Sequence, residues 1–199
     1  MKKGGTSRLI SGLSEFSSQH KFSFRIECQD SRLDVPDRLI VGRQDEESEM
    51  HIVLKALGFL FFYRGRLQIG GHLYNDNIPF IPDILQLNYE GHPTFWAECG
   101  VSDPRRLKKI VAKAPQAEVW WIRETDTEME VMPNQLKKAG VRPGRVKLLG
   151  FPAALVKDLC RLLRAKNEIF WMPPDFFPPA IQFDFNNEWI ESSFALRTY

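Results

Sequence analysis

Asp83 and Glu98 are the acidic residues whose placement could do chemistry. Asp83 follows Pro82 at the head of an apolar stretch, Ile84–Tyr89, and Glu98 lies near the end of a second, Thr94–Cys99. Between them, Glu90-Gly91-His92-Pro93 has the composition of a turn. In an antiparallel hairpin the start of one strand lies beside the end of its partner, so the two carboxylates become neighbours. Hard oxygen ligands converging on one point are what a divalent cation requires, with waters and a substrate phosphate completing its shell. A cation nearby would stabilise the charge that builds on a phosphate during hydrolysis. Carboxylates at strand ends are also common as solvated termini, and spacing alone leaves both readings open.

The elements around this pair set its frame. Phe22, Phe24, Ile26 and Cys28 alternate with polar residues, the period of a half-buried strand, and Leu39–Val41 forms a second short strand after the turn at Pro36-Asp37. Asp45 is a suitable N-cap for a helix carrying Glu46, Glu47 and Glu49 in its first turns and Met50, Val53, Leu54, Leu57, Leu60 and Phe61 at helical spacing. A strand at Arg66–Gly70 precedes the hairpin. After it, Ser102-Asp103-Pro104 starts a helix running to about Ala114, with Ser102 as N-cap. Glu118–Arg123 is a buried strand, Pro133–Ala139 a short helix, Val146–Gly150 a strand and Pro152–Ala165 an amphipathic helix. Glu168–Met172 and Ile181–Phe185 flank the Pro-rich loop Pro173–Pro179, and a single strand at Trp189–Leu196 closes the chain. Residues 1–20 form a loosely ordered segment with a short helical turn at Leu9–Phe16, and residues 21–199 form one domain. The expected class is α/β (α+β), a mixed central sheet flanked by helices.

Composition narrows the function. The 199 residues carry a net charge of only +2, so nucleic-acid binding would have to come from local patches. Cys28, Cys99 and Cys160 form no CxxC pair, which speaks against a zinc site, a disulfide framework and a disulfide-linked partner, and fits a reducing, cytoplasmic setting. No apolar stretch approaches the roughly 20 residues needed to cross a bilayer, and no apolar stretch of a signal peptide follows Met1-Lys2-Lys3.

The segment Arg66-Leu67-Gln68 with its following Ile69, the pair Pro82-Asp83, and the run Trp96–Lys109 together resemble the YaeQ-type proteins, whose corresponding run is ELGxPDxRRIKKA-like. The likeness extends from Phe22 onward. It implies the restriction-endonuclease-like, PD-(D/E)XK fold with additional N- and C-terminal strands. It also implies a Mg²⁺ (or Mn²⁺) site at Asp83 and Glu98, with Glu47 at the family's acidic position in the first core helix; Glu47 is equally readable as a carboxylate favoured by the helix dipole. The superfamily places a Lys two residues after the Glu, where this chain has Gly100, a departure that YaeQ-type proteins share. A cation relocated to the next helix could substitute. There Leu107, Ile110, Val111 and Ala114 form the apolar face, Arg105 and Lys109 point to solvent, and Arg106 and Lys108 flank it. Lys108 leads as the catalytic substitute, while Arg66, Arg105 and Arg106 are candidate nucleic-acid contacts; a solvated basic face is the alternative for each.

Other residues read as structural. Trp120-Trp121 is core strand rather than a base-stacking platform. His51 lies one turn after Glu47, where a helix-surface role is favoured over a supporting one at the site. Cys99 points to the sheet face opposite Glu98, a buried small residue. Three functions compete: a metal-dependent nuclease cleaving DNA or RNA phosphodiesters, a catalytically idle nuclease fold binding nucleic acid or a protein, and an interaction protein using the loop around Phe176 and Phe177. If the Asp83 and Glu98 carboxyls lie within reach of one ion, the first reading is favoured. If they diverge, or pair with Arg66 or Arg106, the second is.

Overall fold

The computed structural model describes residues 21–70, 78, 80–125 and 128–199. The expected helical turn at Leu9–Phe16 lies outside the described residues. The element order is β1 (Lys21–Cys28), β2 (Arg38–Gly42), α1 (Glu49–Phe62), β3 (Gln68–Ile69), β4 (Ile84–Leu87), β5 (Pro93–Cys99), α2 (Pro104–Lys113), β6 (Glu118–Glu124), α3 (Glu128–Ala139), β7 (Val146–Phe151), α4 (Ala153–Leu162), β8 (Lys166–Trp171), β9 (Asp175–Phe176), β10 (Pro179–Phe185), β11 (Glu188–Ser193) and β12 (Ala195–Thr198). The expected α/β class with a helix-flanked mixed sheet holds, and the terminal strands build a sheet of their own. One sheet runs β11-β10-β8-β1-β2 with β9 attached to β10; the other runs β12-β7-β6-β5-β4-β3.

The layers follow from which faces are apolar. The first sheet, α1, α4 and one face of the second sheet share one core. The other face of the second sheet packs on α2 and α3 in a separate core. Helix α1 therefore lies between two sheets and is buried continuously from Ile52 to Phe61, as an all-round apolar helix must be. Its start differs from expectation. Arg43 Nε donates to the Glu47 carbonyl at 2.7 Å and the Gln44 amide donates to Glu47 Oε2 at 3.2 Å, closing a turn ahead of the helix. Ser48 rather than Asp45 is the N-cap, its side chain accepting from the His51 amide.

In the second sheet, β4 and β5 are antiparallel, and β5, β6 and β7 run parallel through the crossover helices α2 and α3. Asp103, not Ser102, caps α2, with Pro104 at its first position. Helix α3 begins upstream of the expected Pro133, because Met129, Met132 and Leu136 form one buried stripe. Proline 133 cannot donate to the Met129 carbonyl, and Arg197 of β12 donates to that oxygen instead at 3.2 Å. The single closing strand is in fact two. The chain breaks at buried Phe194, with β11 paired to β10 in the first sheet and β12 paired to β7 in the second. The Pro-rich loop contributes β9, with Phe177 fully exposed at its tip.

Candidate functional site

The open end of the β4–β5 hairpin builds the site. Ile84 pairs with Ala97, which sets Asp83 beside Glu98 as the strand pairing requires. Both residues line one open pocket of about 400 Å³, together with Glu47 from the turn ahead of α1, His51 from its first turn, and Ser102, Asp103 and Arg106 at the start of α2. Their carboxyl groups are turned to different walls.

Asp83 faces α1. Its Oδ1 lies 2.9 Å from His51 Nε2 and 3.2 Å from Lys55 Nζ, and its Oδ2 accepts from the Cys99 amide at 2.7 Å. Lys55 Nζ also donates to Glu47 Oε1, and His51 Nε2 lies 3.7 Å from the same oxygen. A carboxylate can only accept, so Nε2 carries the proton in the contact with Asp83. Burial alone would raise the Asp83 carboxyl, but the His51 hydrogen bond, the His51 and Lys55 charges and the Cys99 amide outweigh it and hold the group below the usual aspartate range. Burial pulls Lys55 down in turn, and the charges of Asp83 and Glu47 more than compensate, keeping the ammonium protonated above its ordinary value.

Glu98 faces α2. Trp96 Nε1 donates to its Oε1 at 2.8 Å, Arg106 Nη2 reaches the same oxygen at 3.2 Å, and Ser102 Oγ lies 3.4 Å from Oε2. Arg106 Nε is 2.8 Å from Oε2, an ion-pair distance, although its N–H is not aimed to complete a hydrogen bond. Burial and the neighbouring Asp83 charge push the Glu98 carboxyl above its usual range, only partly offset by Arg106 and Trp96. Arg106 is itself held by the Ile81 carbonyl at 2.6 Å and lies over the Phe80 ring.

On the α1 wall three donor groups lie close enough to share a metal, and the Lys55 ammonium bonds to the Glu47 and Asp83 oxygens among them. Glu47, His51 and Asp83 offer ligand atoms within 4.8 Å of one another, and Glu98 stands outside that group. The structure thus joins Asp83 to Glu47 as the sequence proposes, and pairs Glu98 with Arg106. It moves His51 from the helix surface into the cluster. Gly100 explains its approach: with φ +67°, a Cβ at that position would lie 3.3 Å from His51 Nδ1. Three expected cations stand elsewhere. Lys108 is exposed on α2 beside Gly140, Arg105 is exposed with its amide on Asp103, and Arg66 sits over Tyr89 at the turn end of the hairpin, away from Asp83. A helix that runs back along the sheet carries Lys108 away from the strand end where the carboxylates lie.

The cation at the site that sequence reasoning missed is Lys55, whose side chain is 4% exposed. Its signal was visible: a lone charge inside Ile52-Val53-Leu54-Lys55-Ala56-Leu57, spaced four residues from His51 and eight from Glu47, must find a partner when buried. Cys99 packs in the core face away from Glu98, as expected, where burial raises its thiol well above the usual range. Trp120 and Trp121 are both buried, on opposite faces of the sheet.

Among the described residues all three cysteines are free, and no helix is long and apolar enough to cross a membrane. No curated protein matches the chain at a significant level. Two crystal structures are similar. The YaeQ protein from Xanthomonas axonopodis pv. citri has 18% identity and a TM-score of 0.70, covering 89% of this chain and 97% of its own. The YaeQ protein from Pseudomonas syringae has 15% identity and a TM-score of 0.70, covering 90% and 95%. At those identities the likeness speaks for the fold. The family model described as YaeQ protein matches residues 16–172, most of the chain, and the protein belongs to the YaeQ family.

Proposed function

We propose that this chain is a Mg²⁺- or Mn²⁺-dependent nuclease of the PD-(D/E)XK superfamily, hydrolysing nucleic-acid phosphodiester bonds at the pocket between α1 and α2. The mixed order α1-β3-β4-β5-α2-β6, with Asp83 and Glu98 at the open end of its hairpin, supports the reading on architecture alone. The observation that carries the reading is the convergence of Glu47, His51 and Asp83 around the buried Lys55 ammonium. Glu47, His51 and Asp83 would hold the ion, and Nε2 of His51 would give up its proton to do so. An imidazole among the donors favours a transition ion such as Mn²⁺ over Mg²⁺. When bound, the ion would act as a Lewis acid toward a phosphate oxygen. Lys55 takes the role of the cation that Gly100 cannot supply, helping to hold the Asp83 carboxylate ionised and adding positive charge beside the phosphate position.

The second reading meets the condition set by the sequence, since the Asp83 and Glu98 carboxyls diverge and Glu98 pairs with Arg106; the nuclease reading stands on Glu47 and His51 taking the place of Glu98 beside Asp83. Arg106 and Trp96 occupy both oxygens of Glu98, the pairing that favours a catalytically idle fold binding nucleic acid or a protein partner. Mn²⁺ binding and cleavage of single- and double-stranded DNA and RNA, measured on the wild type and on Asp83→Asn, Glu98→Gln and Lys55→Met, separate the two. The nuclease reading expects Asp83→Asn to lose both metal and cleavage, and Lys55→Met to keep metal while cleavage falls by roughly 10²-fold or more. Metal binding without cleavage by the wild type would leave the idle reading. Equal cleavage by all four proteins would mean that the activity is not theirs.

A further inference from the structure

Lys108, displaced from the expected catalytic position, lines a second pocket. It lies between the C-terminal half of α2 and the turn linking α3 to β7, with a volume of about 420 Å³. Lys108, Arg142 and Arg145 supply its charge, Val111 and Val141 are among its apolar walls, and no carboxylate lines it among the described residues. None of the three cations has an ion-pair or hydrogen-bond partner among the described residues, whereas Arg106, Arg64 and Lys147 elsewhere each hold a glutamate. The Nη2 of Arg145 is buried without any partner. A guanidinium nitrogen withdrawn from water and left unpaired is costly unless an acceptor completes it.

The backbone shapes this arrangement. Gly140 follows α3 with φ +73°, a conformation that favours glycine, and a Cβ there would lie 3.1 Å from Lys108 Nζ, so the ammonium tip packs against the turn at the place a side chain would begin. The amides of Gly140 and Val141 donate to the carbonyls of Lys137 and Leu136. The last turn of α3 is thereby partly satisfied, and the charge of the pocket comes from side chains. Apolar walls lower the local dielectric and strengthen attraction for an anion. A planar guanidinium fork with an ammonium beside it suits the tetrahedral oxygens of phosphate.

We propose that the Lys108–Arg142–Arg145 pocket is a phosphate-binding site, separate from the carboxylate pocket. The phosphate belongs either to the backbone of a bound nucleic acid or to a small phosphorylated ligand. The site does not depend on the nuclease reading.

The test uses the full chain, free of divalent metal, at constant ionic strength. Pyrophosphate and a short single-stranded oligonucleotide are titrated separately while the amide resonances of Gly140, Val141 and Gly144 are followed by NMR. Saturable shifts of these amides are expected with at least one of the two probes. Affinity should fall at least tenfold in R145Q and K108Q, recover in part in R145K, and stay unchanged in K157Q, which removes a charge from the exposed face of α4. A response to pyrophosphate alone assigns a small phosphorylated ligand, and a response to the oligonucleotide assigns the nucleic-acid backbone. R145K, which keeps the charge, together with unchanged resonances elsewhere, guards against a folding defect. Unmoved amides with both probes, or equal affinity in wild type and R145Q, would overturn the proposal. An equal loss of affinity in K157Q would also overturn it, by showing that binding follows net charge and not this pocket.

Discussion

Two carboxyls that are neighbours across a hairpin titrate in opposite directions, because their surroundings differ. Asp83 has His51, Lys55 and an amide against it and is held below the ordinary aspartate range; Glu98 has burial and the Asp83 charge against it and is held above the glutamate range. A depressed carboxyl contributes stability that is present above its unfolded value, about 3.9 for aspartate, and is lost as pH falls through the folded one. A raised carboxyl does the reverse. Its contribution is present below the unfolded value, about 4.3 for glutamate, and is lost as pH rises through the folded one. Asp83→Asn should therefore cost about 3 kcal/mol at neutral pH, where it breaks a buried ion pair, and this cost should shrink as the pH drops below about 3.9. Glu98→Gln should cost less at pH 7 than at pH 4, since the amide resembles the protonated acid that burial prefers. Urea unfolding across pH 3–7 reads both, and parallel profiles for the two variants would show that the opposite signs are wrong.

At the level of elements, α1 delivers the cluster. It approaches the second sheet closely at Gly58, where a Cβ would come within 2.5 Å of Ile122 Cδ1 and 2.9 Å of Ile84 Cδ1. Two effects compete in Gly58→Ala. Helix propensity favours alanine by about 1 kcal/mol. Forcing two fully buried isoleucine tips aside costs about 1–3 kcal/mol, and α1 has a sheet on each side to prevent retreat. The expected outcome is a net loss of about 1 kcal/mol in chemical denaturation, accompanied by weaker Mn²⁺ binding, because Glu47, His51 and Lys55 move away from Asp83 as the helix shifts. A variant that is more stable than wild type would mean that the isoleucines yield freely.

At the scale of the whole molecule, α1 also ties the two sheets together through Phe61. Its ring meets Phe151 of the second sheet at 6.1 Å, Phe176 of the first at 5.7 Å, and Phe194, where the chain passes from one sheet to the other, at 4.9 Å. Truncating this ring removes a contact belonging to both halves. Phe61→Ala should cost about 3–5 kcal/mol, and hydrogen exchange should show amides of β7 and β10 losing protection together. Loss confined to one sheet would mean that the sheets unfold independently.

Local patterns determined the element order as far as β8, the hairpin that brings Asp83 beside Glu98, and the class of the fold, because periodicity and turn chemistry act over a few residues. The same locality explains the errors. Asp45 and Ser102 are sound caps in isolation, but hydrogen bonds from Arg43 and Gln44 to Glu47, and from the Arg105 amide to Asp103, moved the helix starts. The last strand read as one because nothing local marks Phe194 as the point of transfer between sheets. Which carboxyl meets which cation was decided only by packing. Lys55 is sandwiched in the core and must pair with Glu47 and Asp83, whereas Lys108 lies on a solvent-facing helix surface and need not. A sequence sets where charges occur along the chain; only the packing of layers decides which of them lose water, and loss of water is what compels a buried charge to find its partner.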